Sequence, residues 1–258
     1  MGLTSFAFLK EAFAFAWDNR RAILGVALFP FCAILLHSLA FTLAPWFMLL
    51  NLLVLLVLVP FKIDLFRLLL LGEKPAGHYG QRLFRRRELK FFLYETGLTL
   101  FVCALLLVAW LIASRAGETW EGLGASLRLG SVVSVGLLLF LAFYYGVPPV
   151  LFFPSLSLGR DAPLKVLFAE ARPFRARIFF TVFWVFAMFF LVAAVLPQFP
   201  AGAEGLGANP AFAFASALAE SGITLAANIV VTLVIAVIFK RSLLPGPAPR
   251  TEDKDPPA

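Results

Sequence analysis

Apolar runs of membrane-crossing length alternate along this chain with short segments that are basic or rich in Gly and Pro. A helix needs about 20 predominantly apolar residues to cross the roughly 30 Å hydrocarbon core of a bilayer. Runs that meet this length predict spans near residues 22–42, 46–67, 91–113, 131–153, 178–198 and 222–239. The expected fold is therefore all-α: an integral membrane domain of about six helices over residues 1–244. Residues 245–258, PGPAPRTEDKDPPA, read as a disordered cytoplasmic tail. Leu43-Ala44-Pro45 leaves so little chain between the first two spans that they must form an antiparallel hairpin.

Two stretches outside the spans show a different pattern. Phe6, Leu9, Phe13 and Trp17 share one helical face, with Glu11 and Asp18 opposite, as in a helix lying in a membrane interface. Leu9-Lys10, Phe13-Ala14, Ala16 and Arg20 match Leu164-Lys165, Phe168-Ala169, Ala171 and Arg175 in type and offset. Each stretch runs directly into a span, so residues 6–17 and 164–171 are expected to be interfacial helices. Residues 78–90 before the third span could be a shorter, more basic copy, giving a three-fold repeat of interfacial helix plus hairpin. Chance matching among Ala, Phe and Leu would produce the same correspondence.

Composition turns this pattern into a statement about solvent. Hydrophobic residues make up 61% and charged residues 14% of the 258, with two cysteines and a net charge of +7, which is far from the soluble average. The positive balance lies between apolar runs, not in an aromatic-interleaved stripe, so it does not read as a nucleic-acid footprint. With a cytoplasmic N-terminus, all but Arg115 and Arg128 of the 22 Lys and Arg fall on the inner side. That asymmetry predicts both termini in the cytoplasm. A twin-arginine signal read at Asn19-Arg20-Arg21 is opposed by the apolar sequence continuing past Ala40 to Pro60. Cys32 and Cys103 lie inside apolar runs without metal-ligand spacing.

Polar groups at membrane depth are the candidate sites, because an unpaired charge there costs about 3 kcal/mol or more. Asp64 and Arg67 lie near the end of the second span, and Glu95 lies about 7 Å into the third at 1.5 Å per residue. Two readings stand for them: a cytoplasm-facing cation or proton site, or a snorkelling network in which Asp64 pairs with Arg67 and Glu95 with a basic loop residue. His37 and Asn51 sit at similar distances from the first hairpin turn and could hydrogen-bond across it. Tyr144-Tyr145-Gly146-Val147-Pro148-Pro149 must distort or end a helix, because the prolines donate no backbone hydrogen bond. Such a break either forms a transporter-type site or steers the chain out of the span. Arg20, Arg21, Arg85, Arg86, Arg87, Arg172, Arg175 and Arg177 are candidate contacts to anionic inner-leaflet lipids. No GxSxG, P-loop, HExxH or strand-following GxGxxG occurs, so neither catalytic residues nor a metal or cofactor is expected.

Pro154-Ser155-Leu156-Ser157-Leu158-Gly159-Arg160, followed by Pro163-Leu164-Lys165, resembles a pattern of six-span bacterial inner-membrane proteins, mostly uncharacterised. The architecture is similar to the membrane domain fused to some glycerophosphodiester phosphodiesterases. Leu71-Gly72-Glu73-Lys74-Pro75 and Arg87-Glu88-Leu89-Lys90-Phe91 resemble elements of related proteobacterial proteins. The resemblance implies an inner-membrane location and carries no catalytic residue, since the soluble phosphodiesterase domain is absent from this sequence. The expected function is non-enzymatic and works through lipid or protein contacts at a basic cytoplasmic face. The alternative is a transporter or channel component, with a lipid-modifying enzyme further behind.

Overall fold

The structure is a computed structural model that describes residues 5–43, 50–74, 85–119, 140, 144, 148–160, 163–195 and 210–244. Among these residues all the regular structure is helical. The helices are α1 (Ser5–Asp18), α2 (Arg20–Leu43), α3 (Leu50–Leu71), α4 (Arg86–Thr119), α5 (Phe152–Ser157), α6 (Leu164–Ala171), α7 (Arg175–Val195) and α8 (Pro210–Ser242). Short 3-10 turns, Pro148–Leu151 and Arg172–Phe174, precede α5 and α7. The hairpin link at Ala44-Pro45, most of the fourth expected span, Tyr145, residues 78–84 and the tail 245–258 lie outside the described residues.

Local chemistry explains the joints. A single turn residue, Asn19, separates α1 from α2, and its amide and side chain both donate to the Phe15 carbonyl. Arg20 closes the corner from the other side: its guanidinium donates to the Trp17 carbonyl and lies 5.0 Å from the Trp17 ring centroid, a favourable place for a cation at a helix C-terminus. The α6-to-α7 joint is longer because Pro173 cannot donate an amide hydrogen bond. Arg20 and Arg175, which correspond in the two matched stretches, each open the following long helix.

Among the described residues two segments, Arg20–Ala40 and Phe214–Ser242, are long and apolar enough to cross a membrane, and Ile178–Phe189 is a shorter apolar segment of α7. Helix α3 is also long but carries Lys62, Asp64 and Arg67 in its second half. Pro30 and Pro60 lie inside α2 and α3, and both are buried. Such prolines are tolerated where neighbouring helices cover the carbonyls they leave unbonded.

Two helices run further than the apolar runs alone predict. Residues 210–221, expected in an outer loop, form the first turns of α8, helped by a proline at the first helical position and by alternating alanines, the best helix formers. Residues 86–90, read as part of a separate basic helix, are the first turns of α4.

Helix α8 is the hub and packs against α1, α2, α3 and α7. Every residue from Leu233 to Phe239 is buried, so partners surround its last turns on all sides. The core lies at one end of the assembly, where α3 and α8 finish and α2, α4 and α7 begin. Phe66 near the end of α3 meets Phe91 near the start of α4 at 6.2 Å between ring centroids, and Phe91 meets Phe153 at 4.7 Å. Further along the helices large apolar side chains face outward, Leu36 on α2, Leu100 and Leu107 on α4 and Phe214 on α8, and on α2 the outward row starts as early as Leu24 and Leu28.

Candidate functional site

The polar candidates converge on that same end. Glu95 does not pair with a loop residue: it forms an ion pair with Lys62 of α3. Lys62 lies nine residues before the end of α3 and Glu95 nine residues after the start of α4. Antiparallel neighbours bring such positions to one level. Arg67 is held by Glu73, beyond the end of its own helix, with Nε 2.8 Å from Oε2. Gly72 makes this possible: at φ +69° it turns the chain after α3, and its amide bonds the Leu68 carbonyl. Asp64 is 4% exposed and packed within α3's buried half.

Helix α4 opens with a dense cluster of charges. Glu88 is fully buried and accepts a hydrogen bond from Arg87 at 3.1 Å, while Arg85 and Arg86 are exposed. Facing them is the turn that ends α5. There Gly159, at φ +75°, donates to Leu156 O while Arg160 donates to Ser155 O, the two bonds of a Schellman motif. Ser155 Oγ closes the turn onto the Arg160 carbonyl at 3.2 Å. Between the two elements lies a cavity of 220 Å³ lined by Arg86, Arg87, Lys90, Leu156 and Gly159.

The remaining candidates are dispersed. Arg175 lies 5.9 Å from the Tyr144 ring centroid, and Tyr144 stands edge-on to Phe179 at 5.7 Å. Pro148 and Pro149 start a 3-10 turn that leads into α5. His37 is half-buried and Asn51 exposed. Arg21 and Arg172 are exposed, while the side chain of Arg177 lies outside the described residues. Arg241 of α8 grips Glu11 of α1 at 3.2 Å. Among the described residues no group of three His, Cys, Asp or Glu side chains could hold a metal ion.

Sequence reasoning quoted Glu73, Glu88 and Gly159 only within motifs of resemblance, and did not single out Lys62 or the pairing of Glu11 with Arg241. For Lys62 a signal existed in its equal depth with Glu95 on the two helices. Glu73 and Glu88 are conspicuous only once Gly72 and the start of α4 are known.

No protein-family model, curated protein or solved structure matches the chain.

Proposed function

We propose that this is a six-span protein of the bacterial inner membrane, with both termini in the cytoplasm, acting without catalysis through lipid or protein contacts at its basic inner face. The observation that carries this reading is the separation of surfaces. Cations from the ends of α3 and α8 and the starts of α2, α4 and α7 gather at one end, while leucines and phenylalanines face outward along the rest. Contiguous apolar surface of that kind is rare on monomers in water and is satisfied by lipid, and basic residues favour the cytoplasmic side.

Helix α1 adds support for contact with the inner leaflet. Phe8 and Ala12 pack into the protein, while Phe6 and Trp17, 72% and 70% exposed, point away from it with Phe13. An aromatic face left outward beside Lys10 and Arg20 suits the headgroup boundary. The matching register of α1–α2 and α6–α7 at Arg20 and Arg175 supports an internal repeat. The third copy has less support, because residues 86–90 continue into α4.

Reporter fusions after Arg21, Lys90, Arg177 and the C-terminus should report cytoplasm, and fusions near Glu118 and Gly205 the outside. A periplasmic C-terminus overturns the topology. The Lys62–Glu95 pair and buried Asp64 favour a second reading, a transporter or channel component. Replacing Glu95 or Asp64 with its amide tests it, because a coupling carboxylate must change its charge or partner during the cycle. Loss of protein level with no defect in the surviving protein favours a structural pair, and unchanged level and phenotype remove the transport reading.

A further inference from the structure

The cavity at the start of α4 has a basic lining. Helix N-termini carry partial positive charge and favour acidic neighbours or bound anions. Here Arg86, Arg87 and Lys90 line the cavity at that end of the helix, and Glu88 is the one acid in its first turn. Arg87 also serves Glu88, and an anion beside the basic side chains that line the cavity would be favoured at this end of the helix. At 220 Å³ the cavity lies below the range of about 300–1,000 Å³ typical for whole organic ligands, which suits a compact group such as phosphate. The opposite wall has no side chain at Gly159, and that turn uses its own amides internally, so the cations would hold the anion.

The face of α4 below the cavity identifies what the phosphate belongs to. Positions 86, 90, 93, 97, 100, 104, 107 and 111 recur at helical spacing and lie on one side. Two of them are the cavity's Arg86 and Lys90. Beneath them Leu93 and Leu100 are 61% and 63% exposed, and Leu107 and Leu111 continue the exposed apolar row. Ten residues separate Lys90 from Leu100, about 15 Å along the helix axis and so about one leaflet of hydrocarbon. Free phosphate would account for the cavity and not the row, and bulk lipid for the row and not the cluster of cations.

We infer that α4 carries a site for one anionic glycerophospholipid, its phosphate in the Arg86–Lys90 cleft and its acyl chains along Leu93 and Leu100. This rests on the proposed membrane reading with the basic end at a leaflet surface. The test uses the full chain purified in uncharged detergent, with retained lipid counted by native mass spectrometry against phosphatidylglycerol, phosphatidylcholine and inorganic phosphate. One saturable phosphatidylglycerol per chain is expected, preferred over phosphatidylcholine and little displaced by millimolar phosphate. Arg86→Gln with Lys90→Gln should weaken it about thirtyfold, the loss of two basic contacts. Arg86→Lys with Lys90→Arg should retain it, as should Lys165→Gln with Lys240→Gln, which removes equal charge elsewhere. Equal retention of both lipids, or an unchanged affinity in the double Gln variant, overturns the site. Displacement by inorganic phosphate as effective as by lipid overturns the lipid assignment. Carbonate extraction of wild-type membranes reads the underlying reading separately: protein released into the wash sinks membrane residence, whereas retained protein without lipid preference sinks only the site.

Discussion

The two halves of α3 reverse the rule that holds in water. Residues 50–57 are uniformly apolar apart from Asn51, yet Leu52 and Leu53 are exposed. Residues 58–69 carry Lys62, Asp64 and Arg67, and this is the half that is buried. Helix α8 differs: its enclosed stretch, Leu233 to Phe239, is wholly apolar, while Phe214 and Leu218 face outward at its other end. With lipid as solvent, apolar side chains gain no hydrophobic free energy by turning to a protein neighbour. Charges gain a great deal by doing so, because a neighbouring helix supplies the partner that lipid lacks. Helix α3 therefore packs where it is polar and leaves its apolar length outward.

The sharpest way to break this comparison is to strand a charge in the packed half. Lys62→Met leaves Glu95 without its partner in a site where both side chains are mostly covered. The expected loss is about 3 kcal/mol, the low end for breaking a buried pair, because some exposure remains. Adding Glu95→Met should recover most of it, since two well-packed apolar groups can replace an ion pair. Retention of folded monomer during heating in detergent reads both variants. A double variant no better than the single would show that the carboxylate is needed for more than packing.

A cavity in the packed half should cost less than that and more than any truncation in the exposed half. Leu233 is fully buried, and Leu233→Ala should lose about 2 kcal/mol, the low end of the usual range, because the unfolded reference is also apolar. Leu100→Ala, on the outward face of α4, should stay within about 0.5 kcal/mol. Equal losses would mean that the outward leucines are covered by protein, for instance by a second copy.

The all-helical character was legible in the sequence, and the packing was not. Residues 6–17 stood out because their polar groups fall at helical spacing, and residues 164–171 because they match them in type and offset; both are helical, in α1 and α6. Burial was hidden for a physical reason: in α2, α3, α4 and α8 apolar residues occupy every side, so periodicity carries no information about which side meets protein. Ile34 is buried and Leu36 exposed on the same helix, and nothing in their chemistry distinguishes them. Pairing rules local to one helix were also incomplete. An i, i+3 bond between Asp64 and Arg67 was the natural expectation for Arg67, but Gly72 turns the chain so that Glu73 meets it instead. The lipid cleft combines a sequence-visible part, the basic run at Arg85 to Lys90, with a part visible only in three dimensions, the turn at Gly159.

Glycines give the third contrast, in sign as well as size. At Gly72 an added Cβ meets nothing within 4 Å, but the backbone is left-handed. Gly72→Ala should therefore cost about 1 kcal/mol through strain alone. Gly97 on the open face of α4 is equally unobstructed and has no left-handed φ, so Gly97→Ala should stabilise by up to about 1 kcal/mol. Apparent melting temperatures moving in opposite directions are the expected result, and a loss at Gly97 would indicate a close neighbour on that face.

The smallest effect is expected where the packed end meets water. Glu11 and Arg241 join α1 to the last turn of α8, but their side chains are 32% and 53% exposed. Solvent and salt screen such a pair, and holding two long side chains in one geometry costs entropy, so Glu11→Gln should lose no more than about 0.5 kcal/mol. What holds α1 in place is Phe8, 1% exposed between the helix and the bundle. Phe8→Ala should consequently release α1 to protease where Glu11→Gln does not, and the Glu11→Gln effect should vanish at high salt. If the two variants exposed α1 equally, the ion pair would be the true fastening, and packing at this end would depend on charge right up to the aqueous edge.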